Sequence, residues 1–258
     1  MSGLPLPDFI IGGAPRAGTT WLRDLLERTP EIFMAKPSRP EPKFFLVEDL
    51  YERGLEYYSR TWFSGAPARS TKGEKSTNYL ESAVAAGRIA RDLPGVRLIF
   101  ILREPASRAY SNYLWSRMNR MESEDFETAL SLEAEREKSL PEDRRYSRPH
   151  AYFSRGLYAR HLEPYFKQFK REKILCLRYE DIGEKPDFLA KQLGDFLGVQ
   201  IPTAFLRSPE KINAALPAPE AAPQKLLQKL HDLYAGPNES LARLLNGTFE
   251  IWEEKEYA

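Results

Sequence analysis

Phe9-Ile10-Ile11-Gly12-Gly13-Ala14-Pro15-Arg16-Ala17-Gly18-Thr19-Thr20-Trp21-Leu22 is the stretch whose reading decides the fold. An apolar run of strand type ends in glycines, a tight loop follows, and Leu22, Leu25 and Leu26 then recur at helical spacing. A strand, a glycine loop and a helix in that order turn successive backbone N–H groups and a helix N-terminus toward an anion. Gly13 and Gly18 keep the spacing of the phosphate loop G-x-x-x-x-G-K-[ST], but Thr19 stands where the lysine belongs. Ordinary ATP or GTP chemistry needs that lysine on the β- and γ-phosphates, so its absence argues against it. The loop carries its own cation instead, Arg16.

Outward from this loop, strands and helices alternate. Val96 to Leu102 is an almost unbroken apolar run, as a strand buried on both faces requires. Ile174 to Leu177 is a shorter one, and Gly73 to Thr77 suggests a short strand and turn. Helices are expected over Ala83–Asp92, stopped by Pro94-Gly95, from Pro105 to about Asn119, and from Tyr158 to Phe169. A further helix face is expected from Phe188, Leu189, Leu193, Phe196 and Leu197, and two short helices near Leu226–Leu233 and Ser240–Leu245. Prolines at 37, 40 and 42 make a loop of the segment around Glu41, and Pro202 to Pro223 reads as irregular. The pattern predicts an α/β fold: one P-loop-like domain over residues 1–258, with a mainly parallel sheet flanked by helices on both faces.

Composition excludes more than it assigns. Lys and Arg number 38 against 37 Asp and Glu, so charge predicts neither a nucleic-acid nor a membrane partner. A single cysteine, Cys176, rules out an internal disulfide and suits a reducing compartment; it reads as an inert core thiol. No window reaches the roughly 18 apolar residues of a membrane span, and no secretory signal opens the chain. Cytoplasmic residence is the expectation. The three histidines, His150, His161 and His231, and the cysteine lie too far apart for a zinc site, so no metal is expected.

A second feature is Ile99-Phe100-Ile101-Leu102-Arg103 followed by Ser111. Ligands of open α/β sheets lie beyond the carboxyl ends of the strands, and a guanidinium at such an end suits a phosphate dianion, with a hydroxyl two helical turns on as a second donor. A third is Glu41-Pro42-Lys43-Phe44-Phe45, a carboxylate in a proline-bounded loop. A fourth is Gly73-Glu74-Lys75-Ser76-Thr77-Asn78-Tyr79, and a fifth Arg155-Gly156-Leu157-Tyr158 at the head of a helix.

Pro15-Arg16-Ala17-Gly18-Thr19-Thr20-Trp21 resembles the 5′-phosphosulfate loop of sulfotransferases that use 3′-phosphoadenosine 5′-phosphosulfate (PAPS), and Arg103 with Ser111 resembles their 3′-phosphate motif. The resemblance runs from Asp8 to about Trp252 and is nearest to bacterial members and the heparan sulfate branch. It implies that Pro15 to Trp21 bind the phosphosulfate and that Glu41 is the base. It also places Lys75 near the transferred group and Arg16 at the leaving oxygen. Arg155, Gly156 and Tyr158 become cofactor contacts, although Tyr158 equally reads as the first core residue of its helix. PAPS is then co-substrate and PAP the product, with no metal. Two departures stand out: Thr77 where proline is common, and no basic residue in Ile212–Pro217, where the family carries a 3′-phosphate clamp. Either Arg155 or Arg207 replaces that clamp, or cofactor binding is weaker.

The expected reaction transfers a sulfuryl group to a hydroxyl or amine of a small acceptor, such as a sugar-bearing metabolite or glycolipid headgroup. Residues 122–149 are expected to form a mobile lid over the acceptor site. The aromatics Phe44, Phe45, Tyr51, Tyr57, Tyr58 and Trp62 either stack on that acceptor or form core. Two other readings stay open at this point: a P-loop nucleotide or small-molecule kinase, and a non-catalytic PAP- or PAPS-binding module.

Overall fold

Residues 3–141, 146–203, 206 and 223–252 are described by a computed structural model. Five strands, β1 (Phe9–Gly13), β2 (Ile32–Met34), β3 (Thr71–Lys75), β4 (Arg97–Leu102) and β5 (Ile174–Arg178), form one sheet. Their order is β2-β3-β1-β4-β5 and each of these pairings is parallel. The helices before the middle of the chain are α1 (Thr19–Glu27), α2 (Glu48–Tyr51), α3 (Gly54–Trp62), α4 (Ala83–Asp92) and α5 (Pro105–Met118). After it come α6 (Phe126–Ser131), α7 (Glu133–Ser139), α8 (Tyr158–Gln168), α9 (Asp181–Glu184), α10 (Pro186–Leu197) and α11 (Gln224–Leu245).

The unbroken apolar strands are explained by helices on both faces. Alternate residues of β1 and β4 point to opposite sides. Phe9, Ile11, Ile99 and Ile101 meet Leu22, Leu25 and Leu26 of α1 and Leu189, Leu193 and Leu197 of α10. Ile10, Leu98, Phe100 and Leu102 meet Ala85, Ala86 and Ile89 of α4 and Leu162 and Tyr165 of α8. Cutting a buried leucine such as Leu22 to alanine costs about 2–5 kcal/mol in such a core. The helix starts are locally encoded: Ser82 accepts the Ala85 N–H at 3.1 Å to cap α4. Glu104 accepts from the Ala106 and Ser107 N–H groups to cap α5, with Pro105 in its first turn.

Several expectations change. The C-terminal pair of helices is one helix, α11, with Pro237 inside it. Its buried residues Leu227, Leu230, Tyr234, Asn238, Leu241 and Leu245 stay on one face across the proline, so packing against α5 and α8 outweighs the missing N–H. The strand β2 was not anticipated, because three residues give no readable period. Phe188 is half exposed and the buried face of α10 runs through Leu189, Ala190, Leu193 and Leu197 instead. Cys176 lies in β5 but is only half-buried.

Over their described part, residues 122–149 carry two short helices packed on the rest of the fold. Phe126 and Ala129 of α6 are buried with Ala106, Ala109 and Tyr113 of α5 and Leu227, Leu230 and Tyr234 of α11. The charges that suggested a solvated loop pair with one another: Glu122 with Arg136 at 2.7 Å, and Arg148 with Glu137 at 2.6 Å. Residues 142–145 of this segment, Arg207 and the Ile212–Pro217 stretch lie outside the described residues.

Candidate active site

All five strands deliver residues to one end of the sheet. The loop after β1 carries Arg16, the loop after β2 carries Glu41, β3 ends in Lys75, β4 runs into Arg103, and β5 into Tyr179. The strand order departs in both directions from β1, toward β3 on one side and β4 on the other, which opens a crevice above its carboxyl end.

One half of the crevice is built for an anion. Gly18 is the N-cap of α1 at φ +85°, and no side chain caps this helix nor does any acidic residue enter its first turn. The first N–H groups of α1, from Thr19 onward, therefore lack intrahelical acceptors and point at the crevice. A Cβ on Gly18 would lie 2.8 Å from the Tyr179 ring, so close packing as well as backbone geometry requires glycine there. Arg16, at φ +67°, brings Nε to 3.4 Å from the Ser111 hydroxyl. The Arg103 guanidinium lies 4.8 Å over the Tyr179 ring and its Nη1 is 3.5 Å from the Arg16 carbonyl. Among the described residues neither Arg16 nor Arg103 is paired with a carboxylate. Burial, and then the neighbouring charge of Arg103, push the Arg16 pKa down. Two partly buried guanidinia beside a buried serine repel each other until an anion joins them, and this donor set fits a nucleotide phosphate.

The other half holds the proposed base. The Glu41 Oε1 accepts from Lys75 Nζ at 2.7 Å, and Oε2 from the Thr77 N–H at 3.0 Å and the Thr77 hydroxyl at 3.1 Å. Burial pushes the Glu41 carboxyl up, but Lys75, the Thr77 N–H and Lys43 outweigh it and hold the group below the ordinary glutamate value. Lys75 Nζ also lies 3.4 Å from the Thr20 hydroxyl, which ties the Glu41–Lys75 pair to the first turn of α1. Burial pushes the Lys43 pKa down, and its ammonium lies 5.1 Å over the Tyr146 ring. Phe44, Phe45 and Tyr58 are wholly buried, with Phe44 stacked on Tyr58 and Phe45 edge-on to it, so these three aromatics are core and not an acceptor platform.

The remaining sequence candidates divide. Ala17 and Thr19 are buried at the start of α1, with Pro15 and Trp21 half-buried around them. Arg155, expected on the cofactor, is committed elsewhere. Its Nε meets Glu81 at 2.6 Å, Nη1 the Asn112 side chain at 3.0 Å, and Nη2 the Ser147 carbonyl at 2.7 Å. At 5% exposed, the side chain has three of its five N–H donors held by these internal partners. Gly156 serves packing: a Cβ there would lie 2.5 Å from the Tyr234 hydroxyl oxygen. Tyr158 is core, and its hydroxyl donates to the Arg103 carbonyl at 2.7 Å, fixing the backbone that carries that arginine. The sequence reading passed over Glu74 and Glu81. Glu74 stands in the fourth motif but was given no role, and Glu81 stands in none, since burial of a carboxylate is invisible without the fold.

Residues 6–215 match the sulfotransferase domain family. The chain belongs to this family. Among curated sulfotransferases, mouse heparan sulfate glucosamine 3-O-sulfotransferase 3B1 is 29% identical over 199 residues, 76% of this chain and 47% of that protein. Mouse bifunctional heparan sulfate N-deacetylase/N-sulfotransferase 1 is 31% identical over 203 residues, 75% of this chain and 22% of that protein. The chain thus spans about half or less of the length of these relatives. Among solved structures, a sulfotransferase from Alicyclobacillus acidocaldarius superposes with a TM-score of 0.75 at 24% identity, covering 95% of this chain and 98% of its own. A mouse sulfotransferase solved with PAP superposes at 0.54 with 17% identity, covering 92% of this chain and 82% of its own. These likenesses establish the P-loop-like sulfotransferase fold.

Proposed function

We propose that this protein transfers a sulfuryl group from PAPS to a hydroxyl or amine of a small acceptor. The observation that carries the proposal is the Glu41–Lys75–Thr20 chain of contacts, which links a carboxylate to the anion-facing turn of α1 within one crevice. PAPS supplies the activated sulfuryl group when bound. The N–H groups at the start of α1 hold the phosphosulfate end, and Arg103 with Ser111 hold the 3′-phosphate. Glu41 accepts the acceptor's proton; a carboxylate offers about four lone-pair directions, so its bonds to Lys75 and Thr77 leave room for one more. Lys75 and Arg16 stabilise the charge that develops as the bond to the leaving phosphate oxygen breaks. Arg16 does so without giving up a proton, because guanidinium stays charged.

The balanced charge of the chain, 38 cations to 37 anions, favours a small hydroxylated acceptor over a long polyanion. A sugar-bearing metabolite or glycolipid headgroup has the required hydroxyls, and the names of the curated relatives point to sugars. We further propose action in the cytoplasm, which the lone cysteine supports. The test is turnover of sulfur-labelled PAPS over an acceptor panel, with mass spectrometry of the product. Label transfer that persists in EDTA is the expected result. Activity on ATP that is abolished by EDTA and restored by Mg²⁺ would favour the kinase, and PAP binding with no transfer to any acceptor the binding module.

A further inference from the structure

Immediately behind the Glu41–Lys75 pair lies a second carboxyl group that the reaction above does not use. Strand alternation sends Lys75 and Thr77 toward the crevice and Glu74 and Ser76 to the opposite side. Glu74 is fully buried. Its Oε1 accepts from the Ser76 hydroxyl at 2.5 Å, and its Oε2 from the Tyr58 hydroxyl of α3. Tyr79, from the short 3-10 turn Tyr79–Glu81, adds a third hydroxyl to the group.

Two of these hydroxyls hold the loop that carries Glu41. The Ser76 hydroxyl accepts the Lys43 N–H at 2.8 Å, and the Tyr79 hydroxyl accepts the Phe45 N–H at 3.2 Å. Lys43 sits at φ +48°, a conformation an unbranched lysine adopts only when surrounding contacts impose it, and the bond to Ser76 is such a contact. The loop 41–45 is therefore docked on residues 74–79 from both sides: its Glu41 carboxylate by Lys75 and Thr77, its backbone by Ser76 and Tyr79. Glu74 is the hub behind the second set.

We propose that Glu74 is a positioning residue for Glu41, holding the loop of the base through Ser76 and Tyr79 and coupling its own charge to that of the base. The proposal rests on the sulfotransferase reading for its kinetic consequence only. The groups facing Glu74 are Tyr58 and Ser76, Tyr79, and, through the strand, Glu41. Burial pushes the Glu74 pKa up, the three hydroxyls pull it back and the Glu41 charge pushes it up again, to about 7 in all. The coupling is mutual: ionised Glu74 makes Glu41 a stronger base, and protonated Glu74 a weaker one. Turnover then falls as pH drops through about 7, well above the range in which Glu41 itself is protonated.

Glu74→Gln fixes the uncharged form. Its kcat is expected to be about three- to tenfold below wild type at pH 8, from a basicity change of about one pKa unit felt partly or fully in proton transfer, and to converge with wild type at pH 5.5. PAP affinity should stay within about twofold. Ser76→Ala, which cuts the loop's tether but keeps the acid, should lower kcat while keeping the limb near pH 7. If Glu74→Gln does not fold, Ser76→Ala carries the kinetic test. An infrared titration of the free wild-type protein supplies a readout without turnover: a carboxyl band should titrate near pH 7 and shift to lower pH in Glu41→Gln. A uniform loss of kcat at every pH in Glu74→Gln, unchanged kinetics in Ser76→Ala, or a band indifferent to Glu41→Gln would each overturn the proposal. Inactivity of all proteins on PAPS alongside the expected band shift would instead reject the activity and leave the coupling standing.

Discussion

Two arginine clusters at the same end of the molecule make opposite use of the same side chain. Around Ser111, Arg16 and Arg103 approach each other with no carboxylate partner among the described residues. Around Glu81, Arg155 and Arg148 are both engaged, the first at 2.6 Å and the second at 3.4 Å from that buried carboxylate. The first cluster repels itself alone, and under the proposed function an anion completes it. The second is already complete, because a buried ion pair holds only when its partner and its remaining hydrogen bonds are supplied internally. A cation's role here is set by its partner and not by its position in a motif.

The strongest test of this contrast is Arg16→Ala, expected to lower turnover about 100- to 1,000-fold, with PAP still bound through Arg103 and Ser111 in calorimetry. Arg16→Lys should recover much of the rate. Normal turnover in the alanine variant would break the comparison. Glu41→Gln should follow, with a loss of roughly 100-fold in turnover and PAPS affinity unchanged; a raised acceptor KM with intact kcat would make Glu41 a binding residue.

Arg155→Ala probes the other cluster and should act on stability. It leaves the buried Glu81 with Arg148 alone at 3.4 Å, so the loss should approach but not exceed about 3–5 kcal/mol, read as a lower urea midpoint, while PAP affinity per folded molecule stays level. A selective loss of PAP affinity would return Arg155 to the cofactor site. The same pair gives a pH dependence. Burial pushes Glu81 up, but Arg155, Arg148 and His161 outweigh it and hold it below 4.5. A depressed folded value means that its stabilisation is complete above the unfolded value and is lost as pH falls through the folded one. Acid titration of stability below pH 4.5 should therefore be shallower in a Glu81→Gln, Arg155→Met double variant.

The smallest effect is expected at Thr77→Val. It removes the hydroxyl donor but keeps the N–H, so Glu41 loses one of its partners and turnover should change by less than about tenfold. A larger loss would show that the hydroxyl, and not the N–H, sets the geometry of the base.

Much of this site was legible because its residues are consecutive. The loop from Pro15 to Trp21 and the Arg103–Ser111 spacing are local patterns, and strand, turn and helix geometry place them with little help from the rest of the chain. Arg155 and Gly156 are less legible for the opposite reason. An arginine beside a glycine at a helix start looks like a ligand site, and only Glu81, 74 positions away, shows that the guanidinium is taken. The expected pair of C-terminal helices is one for a like reason, since the face that carries α11 through Pro237 exists only against α5 and α8.

By itself the sequence determined the α/β alternation, both anion motifs and the candidate base, because each depends on periods and spacings within about 15 residues. Tertiary structure alone decided which cations remain unpaired, that Lys75 joins Glu41 to Thr20, and that Glu74 lies behind them as a buried acid. Those facts depend on burial and on contacts between segments 34 to 95 positions apart, such as Lys75 with Glu41 and Arg16 with Ser111. Desolvation and Coulomb energy are set by distance in space, and no local pattern encodes that distance.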